Sequence, residues 1–258
     1  MSTELQASRQ DSTLILTISN PGAKNALHPD MFAAAVETLS TAERDDSIRA
    51  VILTGADGFF CAGGHLHKLL DMRAQKTADQ ADAVDRLSGW IEAIRDCPKP
   101  VIAAVDGAAA GAGFSLALAC DIIVAGNSAK FMMSYTNIGL TPDGGASWFL
   151  TQALPRQLAM EILIDGKAIS ASRLHDLGVV NKLTADGAAL DTALQWADEI
   201  AQRSLNAIDR IKSLVREAGE NSLTKQFAAE RLHFVESLNH SDTLEGINAF
   251  LEKRTPKY

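Results

Sequence analysis

Two stretches of small residues stand where a backbone could do chemistry. FFCAGGHLHKL, residues 59–69, and VIAAVDGAAAGAGFSLALACDIIVAG, residues 101–126, each read as an apolar strand end, a run of Gly and Ala, and a helix start. Small residues at such a turn let a ligand come close to the main chain. The first N–H groups of the helix that follows have no intrahelical acceptor and a dipole that favours negative charge. Two such donors aimed at one carbonyl oxygen form an oxyanion hole, which stabilises an enolate or a tetrahedral oxyanion.

A carboxylate that could move a proton sits at Asp143, in LTPDGG, residues 140–145. It would need a pKa raised by apolar surroundings, for which Phe131, Met132, Trp148 and Phe149 are the nearby candidates. The same Pro-Asp-Gly-Gly also suits the turn that opens a helix, so Asp143 reads equally as a cap. Gly113-Phe-Ser115-Leu-Ala117 approximates the nucleophile elbow G-x-S-x-G, with Asp and His following it, which keeps a serine esterase using Ser115 as a competing class. Gly111 and Gly113 hint at a dinucleotide fingerprint, but Leu116 stands in place of its third glycine. His65 and His67 with Cys61 are metal-ligating types, yet histidines two apart at a helix start point to different faces, so no metal is expected.

These residues must be positioned by an α/β chain. Strands are predicted at residues 14–18 (alternating outward and inward), 50–53, 101–105, 122–124, 131–132 and 179–183, and helices at 29–43 and 78–95, the latter with Val84, Leu87, Ile91 and Ile94 on one stripe. From residue 187 onward the strand signals stop, and helical patterns occupy 190–203, 207–218, 223–238 and 243–253. The change of period puts a subdomain boundary near Asp186: a core over residues 1–186 and a helical region over 187–258.

The composition, 258 residues with 47% hydrophobic and 22% charged, is that of a globular protein able to bury a full core. No apolar run approaches the ~18 residues needed to span a bilayer, and the polar start MSTELQASRQDS lacks the regions of a signal peptide, so a cytoplasmic setting is expected. Three cysteines without CxxC spacing argue against a disulfide framework or a zinc ribbon. A net charge of −8 disfavours nucleic acid and anionic membrane as partners, although Lys24, Lys68, Arg73, Lys253 and Arg254 offer local sites for a phosphate.

At the two glycine-containing turns the chain resembles the crotonase, or enoyl-CoA hydratase/isomerase, family, whose signatures read close to F-C-A-G-x-D-L and A-V-x-G-x-A-x-G-G-G. The resemblance extends to SNPGAKNAL (19–27), YTNIGLTPDGGASWFL (135–150) and EGINAFLEKRTPKY (245–258), in family order across nearly the whole length. It implies a core of ββα turns wound into a spiral, with a helical C-terminal region that packs trimers or a dimer of trimers, and an acyl-CoA thioester as substrate with no further cofactor. Carried over residue by residue, it implies N–H donors at Ala62 and Ala112 and a CoA site formed by Lys24, Ala26, Leu27, Gly63, Gly64, His65 and Leu66. Phe250 and Lys253 would serve the CoA of a neighbouring subunit. Ser115 and Tyr135 would face the acyl group, and Trp148, by its size, would suit a bulky or cyclic one.

Three departures bear on the reaction. His65 replaces a common Asp, and Ala112 a common Gly, although alanine keeps its N–H. Ser115 and Tyr135 stand where the hydratases have two glutamates that hold and activate water, and neither is a carboxylate. The expected activity is therefore isomerase-like, with Asp143 as acid/base. A hydratase or ring-opening hydrolase of the same family, and a noncatalytic acyl-CoA-binding protein, remain alternatives.

Overall fold

Runs of Val, Ile, Leu and Ala without polar alternation suit strands covered on both faces. The computed structural model, which describes residues 3–258, uses them at the centre of a six-stranded sheet. In spatial order its strands are β1 (Glu4–Gln10), β2 (Thr13–Ser19), β3 (Ala50–Gly55), β4 (Val101–Val105), β6 (Ile122–Gly126) and β9 (Lys182–Thr184). β1 pairs antiparallel with β2, Leu5 opposite Ile18, and each later neighbour is parallel. A second sheet holds β5 (Ala108–Ala110), β7 (Lys130–Met132) and β8 (Ile169–Ser170).

The chain winds between these sheets. β3 leads to an extended segment whose Cys61 bridges Ala109, and then to α2 (Leu66–Arg73) and α3 (Thr77–Asp96). β4 leads to β5 and α4 (Ala112–Ala119); β6 leads to β7 and, past a loop, to α5 (Ala146–Ala153) and α6 (Arg156–Asp165). The turn before them follows the same plan, from β2 through a Leu27–Gly64 bridge to α1 (Pro29–Arg44). Each ββα turn thus lies against the one before it, as the family resemblance implied.

Leu14, Leu16, Ile18, Val51 and Leu53 pack on the face toward α1 and α3, whereas Ile15, Ile52, Ile102 and Val124 pack on the other, against α8 (Ala189–Ala201). α8 presents Ala189, Ala193 and Ala197, four residues apart and fully buried, so its axis can approach the sheet closely. β2 is therefore buried on both faces and does not alternate as expected. The strand expected at 179–183 pairs only from Lys182, because Val179 and Val180 are packed in the loop before it. β1 was missed: ELQASRQ is a polar, exposed edge strand, the pattern that protects an open sheet edge. On α3 the buried stripe is Leu87, Trp90, Ile91 and Ile94, whereas Val84 is exposed.

α7 (Ala171–Asp176) precedes β9, and three helices end the chain: α9 (Leu205–Ala218), α10 (Leu223–Leu238) and α11 (Ser241–Leu251). Ser204 and Ser222 cap α9 and α10, neither of which fully buries a side chain, while Ile211, Val215, Phe227, Phe234 and Phe250 are exposed. Among the described residues no helix is long and apolar enough to cross a membrane.

Candidate active site

The segment after β3 is laced to the second sheet by Phe60 N–H to Asp106 O (2.9 Å), Cys61 N–H to Ala108 O (3.0 Å) and Ala110 N–H to Cys61 O (2.9 Å). Its glycine turn then lies directly on the start of α4. Gly63 has φ +86°, and a Cβ there would fall 2.6 Å from Ala110 O. A Cβ on Gly113 would fall 2.6 Å from Cys61 O and 2.7 Å from Cys61 Cβ. Both glycines are required by this backbone contact, and it brings two sets of N–H groups to one cleft of about 1120 Å³.

Ala62 is not one of the donors. Its N–H is engaged by Lys24 O at 3.0 Å, part of the turn that seats residues 20–27. The next exposed N–H, that of Gly64, has no acceptor among the described residues: across the Leu27–Gly64 bridge the bond runs from Leu27 N–H to Gly63 O, at 2.7 Å. At α4, Gly111 N–H is held by Met132 O (2.9 Å), and Phe114 and Ser115 N–H both reach Gly111 O, at 2.9 and 3.1 Å. Ala112, first residue of the helix, has no intrahelical acceptor for its N–H. Gly64 and Ala112 both line the cleft, and the Cβ position of the intervening Gly63 is 3.4 Å from Ala112 N. The N–H groups free at the cleft are thus those of Gly64 and Ala112, which makes them the candidates for an oxyanion pair. At the first turn the free donor lies two residues beyond the one that the family resemblance implied, because FCAGG offers several N–H groups and only the folded turn tells which is engaged.

The Asp143 carboxylate takes the Tyr135 hydroxyl on Oδ1 at 2.5 Å. It does not cap α5: that helix starts after Gly145 without a side-chain bond, and the bond to Ala146 N–H comes from the Asp143 backbone carbonyl. Ser115 Oγ donates to the same carbonyl at 3.0 Å, and Ser115 is fully buried. Burial holds the Asp143 carboxyl above the usual carboxylate range, opposed by the Tyr135 bond. Burial, and then the adjacent Asp143 charge, hold the Tyr135 phenol well above its own range, so it stays protonated as the donor. Ser115 is a brace for the Asp143 loop and does not line the cleft, so its buried hydroxyl is not placed to reach a substrate there as the esterase alternative needs.

Other expected residues divide. Ala26, Leu27, His65, Leu66 and Tyr135 line the cleft with Gly64. Lys24 does not: its Nζ lies 5.7 Å from the centre of the Phe59 ring, and its part is played by its carbonyl. Trp148 is outside the cleft, 40% exposed and stacked under Arg95 at 4.7 Å, with Phe149 edge-on to it. Phe131 packs on Phe114 in the core. The apolar wall beside Asp143 comes instead from Val84 and Leu87 of α3 with Leu140 and Pro142, residues that a helical stripe alone assigned to the core or left out. Phe250, 83% exposed, and Lys253 lie at the end of α11 and do not line this chain's cleft. His65 and His67 are not splayed apart as expected, since His65 precedes α2 and its ring centre is 5.7 Å from that of His67. Among the described residues no three His, Cys, Asp or Glu side chains form a metal-binding group, and burial pushes the Cys61 thiol up to about 12.

A family profile described as enoyl-CoA hydratase/isomerase matches residues 8–258. The chain is 36% identical over 253 residues to the 1,2-epoxyphenylacetyl-CoA isomerase of Escherichia coli (strain K12), covering 96% of this chain and 95% of that protein. It is 35% identical over 255 residues to the 2,3-dehydroadipyl-CoA hydratase of the same strain, covering 99% and 98%. The crystal structure of an enoyl-CoA hydratase from Polaromonas sp. JS666 matches with a TM-score of 0.97 at 52% identity, over 99% of each chain. The protein belongs to the enoyl-CoA hydratase/isomerase family, with the crotonase fold. It is an enzyme acting on acyl-CoA.

Two predictions follow from this geometry. Gly64→Ala keeps the N–H, and its Cβ meets only the Leu69 side chain, at 3.6 Å, so turnover should stay within a few-fold. Gly64→Pro deletes the donor and should cost about 3 kcal/mol at the transition state, roughly a hundredfold in rate. Steady-state kinetics on variants whose melting is unchanged decides this, and equal rates for the two would remove Gly64 from the oxyanion hole. For Tyr135→Phe, loss of the bond that favours the ionised carboxylate should raise the Asp143 pKa further. The acid limb of kcat/KM, on which rate grows as Asp143 ionises, should then move to higher pH; a shift downward or none at all would contradict the assignment of Asp143 as base.

Proposed function

We propose that the enzyme shifts a double bond in an enoyl-CoA thioester. The thioester oxygen is held by the Gly64 and Ala112 N–H groups, and Asp143 removes a proton from the carbon next to the double bond. The C–H electron pair passes into a dienolate whose charge rests on the thioester oxygen, and the protonated Asp143 returns the proton to the other end of the conjugated system. Preorganised donors are worth most where charge develops, and a carboxyl with a raised pKa can give back the proton it takes. CoA is part of the substrate, and no other cofactor is needed for these steps.

The observation that carries the reading is the half-buried Asp143 carboxylate beside the oxyanion pair, bonded to Tyr135 and backed by Ser115, where a two-glutamate hydratase has its water-binding carboxylates. A second reading is hydration, or hydrolytic ring opening, with Asp143 activating water. It is favoured by the relative named 2,3-dehydroadipyl-CoA hydratase, as isomerisation is by the relative named 1,2-epoxyphenylacetyl-CoA isomerase. A panel of 2-enoyl, 3-enoyl and cyclic unsaturated CoA thioesters separates them. Unchanged product mass with a new retention time is expected; a mass gain of water would replace isomerisation by hydration. Asp143→Asn should bind thioesters within a few-fold of the parent and lose most turnover, and full activity would dismiss the carboxylate from the chemistry.

The exposed apolar residues of α9, α10 and α11 support assembly as a homotrimer or a dimer of trimers, with Phe250 and Lys253 serving a neighbour's CoA site. Deleting the residues after Asn239 should reduce the mass found by light scattering and weaken CoA binding together. A folded, truncated monomer with parental CoA affinity would refute this.

A further inference from the structure

The charged side chains that line the cleft differ in their partners. Lys68 Nζ lies 3.8 Å from Asp71, and the Asp143 carboxylate accepts the Tyr135 hydroxyl. Arg86, on α3, is the cationic residue of the lining that has no ion pair, hydrogen bond or ring contact among the described residues; Asp82 and Asp85 on the same helix are not bonded to it.

The place of Arg86 in the cleft gives this unmatched charge a meaning. Leu87, the next residue, has its Cδ2 3.5 Å from the position a Cβ on Gly144 would take, so this turn of α3 adjoins the residue after Asp143. The backbone of Arg86 therefore lies on the stretch of α3 that borders the acid/base end of the cleft. Met72 of α2 and Val84 and Leu87 of α3 add apolar lining to the same cleft. A guanidinium there presents a planar fork of donors suited to a carboxylate, in a molecule whose net charge of −8 otherwise repels anions.

We infer that Arg86 receives a carboxylate at the far end of the acyl chain, so that the substrate is a CoA thioester of a dicarboxylic acid. The inference rests on the reading of this cleft as an acyl-CoA site with the thioester at Gly64 and Ala112. Because Arg86 is open to solvent, the discrimination is moderate: on the order of tenfold in affinity over a methyl-ended chain of equal length.

Calorimetric titration with saturated ligands tests this without any turnover. Adipyl-CoA should bind on the order of tenfold tighter than hexanoyl-CoA. Arg86→Met should abolish that ratio, and Arg86→Lys should keep part of it because the charge remains while the fork is lost. Equal affinities in the parent protein, or a ratio that survives in Arg86→Met, would overturn the inference. So would an Arg86→Met variant that loses as much affinity for free CoA as for adipyl-CoA, since the guanidinium would then serve the CoA phosphates. If free CoA and both thioesters fail to bind the parent protein, the acyl-CoA reading falls, and this inference with it. Binding with the expected ratio but no isomerisation would fault the proposed reaction alone.

Discussion

The site depends on how closely the turn at residues 59–64 approaches the start of α4. An oxyanion hole needs two N–H groups within hydrogen-bond reach of one atom, and the two free donors of this cleft come from segments some fifty residues apart in sequence, at Gly64 and Ala112. The approach is possible because Gly63 and Gly113 carry no side chain where a Cβ would press on Ala110 O and Cys61 O. The parallel winding makes it reproducible: Cys61 exchanges bonds with Ala108 and Ala110, so the first turn is held in register by β5, which feeds α4 directly. Fold and site are in this sense one hydrogen-bond pattern. The buried strands supply rigidity, and the glycines permit contact.

The second requirement is a carboxylate whose proton affinity suits reversible transfer, and two opposing effects set it. Burial raises the Asp143 pKa, while the Tyr135 bond restrains the rise by favouring the ionised form. Each pKa unit corresponds to about 1.4 kcal/mol between protonation states, and the two effects act on the carboxylate in opposite directions, burial being the larger. Ser115 holds the Asp143 carbonyl from behind, which fixes the loop without touching the charge. The three residues thus form one unit: a buried carboxylate, the hydroxyl that it accepts and the support of its loop.

Much of the fold was legible because the strands are short apolar runs and the helices carry clear stripes. β4 was read over the same residues, 101–105, and α10 over 223–238, whereas β1 escaped because an exposed edge strand has no apolar signature. The site was legible in its parts and not in its details. Asp143 and the two glycine-containing turns were found by residue type, but Ala62 was preferred to Gly64 because neighbouring amides in a turn look alike until their acceptors are known. Trp148 was drawn to the pocket by its size, yet it sits on the outer face of α5 under Arg95. Arg86 could not have been found at all by type, since its meaning lies in the absence of a partner within a particular cleft.

The packing around Ser115 also limits what can stand at that position. Ser115 is fully buried, and the turn after Asp143 lies against it so closely that a Cβ on Gly144 would be 2.9 Å from Ser115 Cβ. A glutamate at that position would place a longer, charged side chain where only a hydroxyl now fits, and it would expel the Asp143 loop from its support. Ser115 and the turn after Asp143 are therefore coupled sterically: a larger side chain at either place must displace the other, so the size of residue 115 sets where the Asp143 loop can lie.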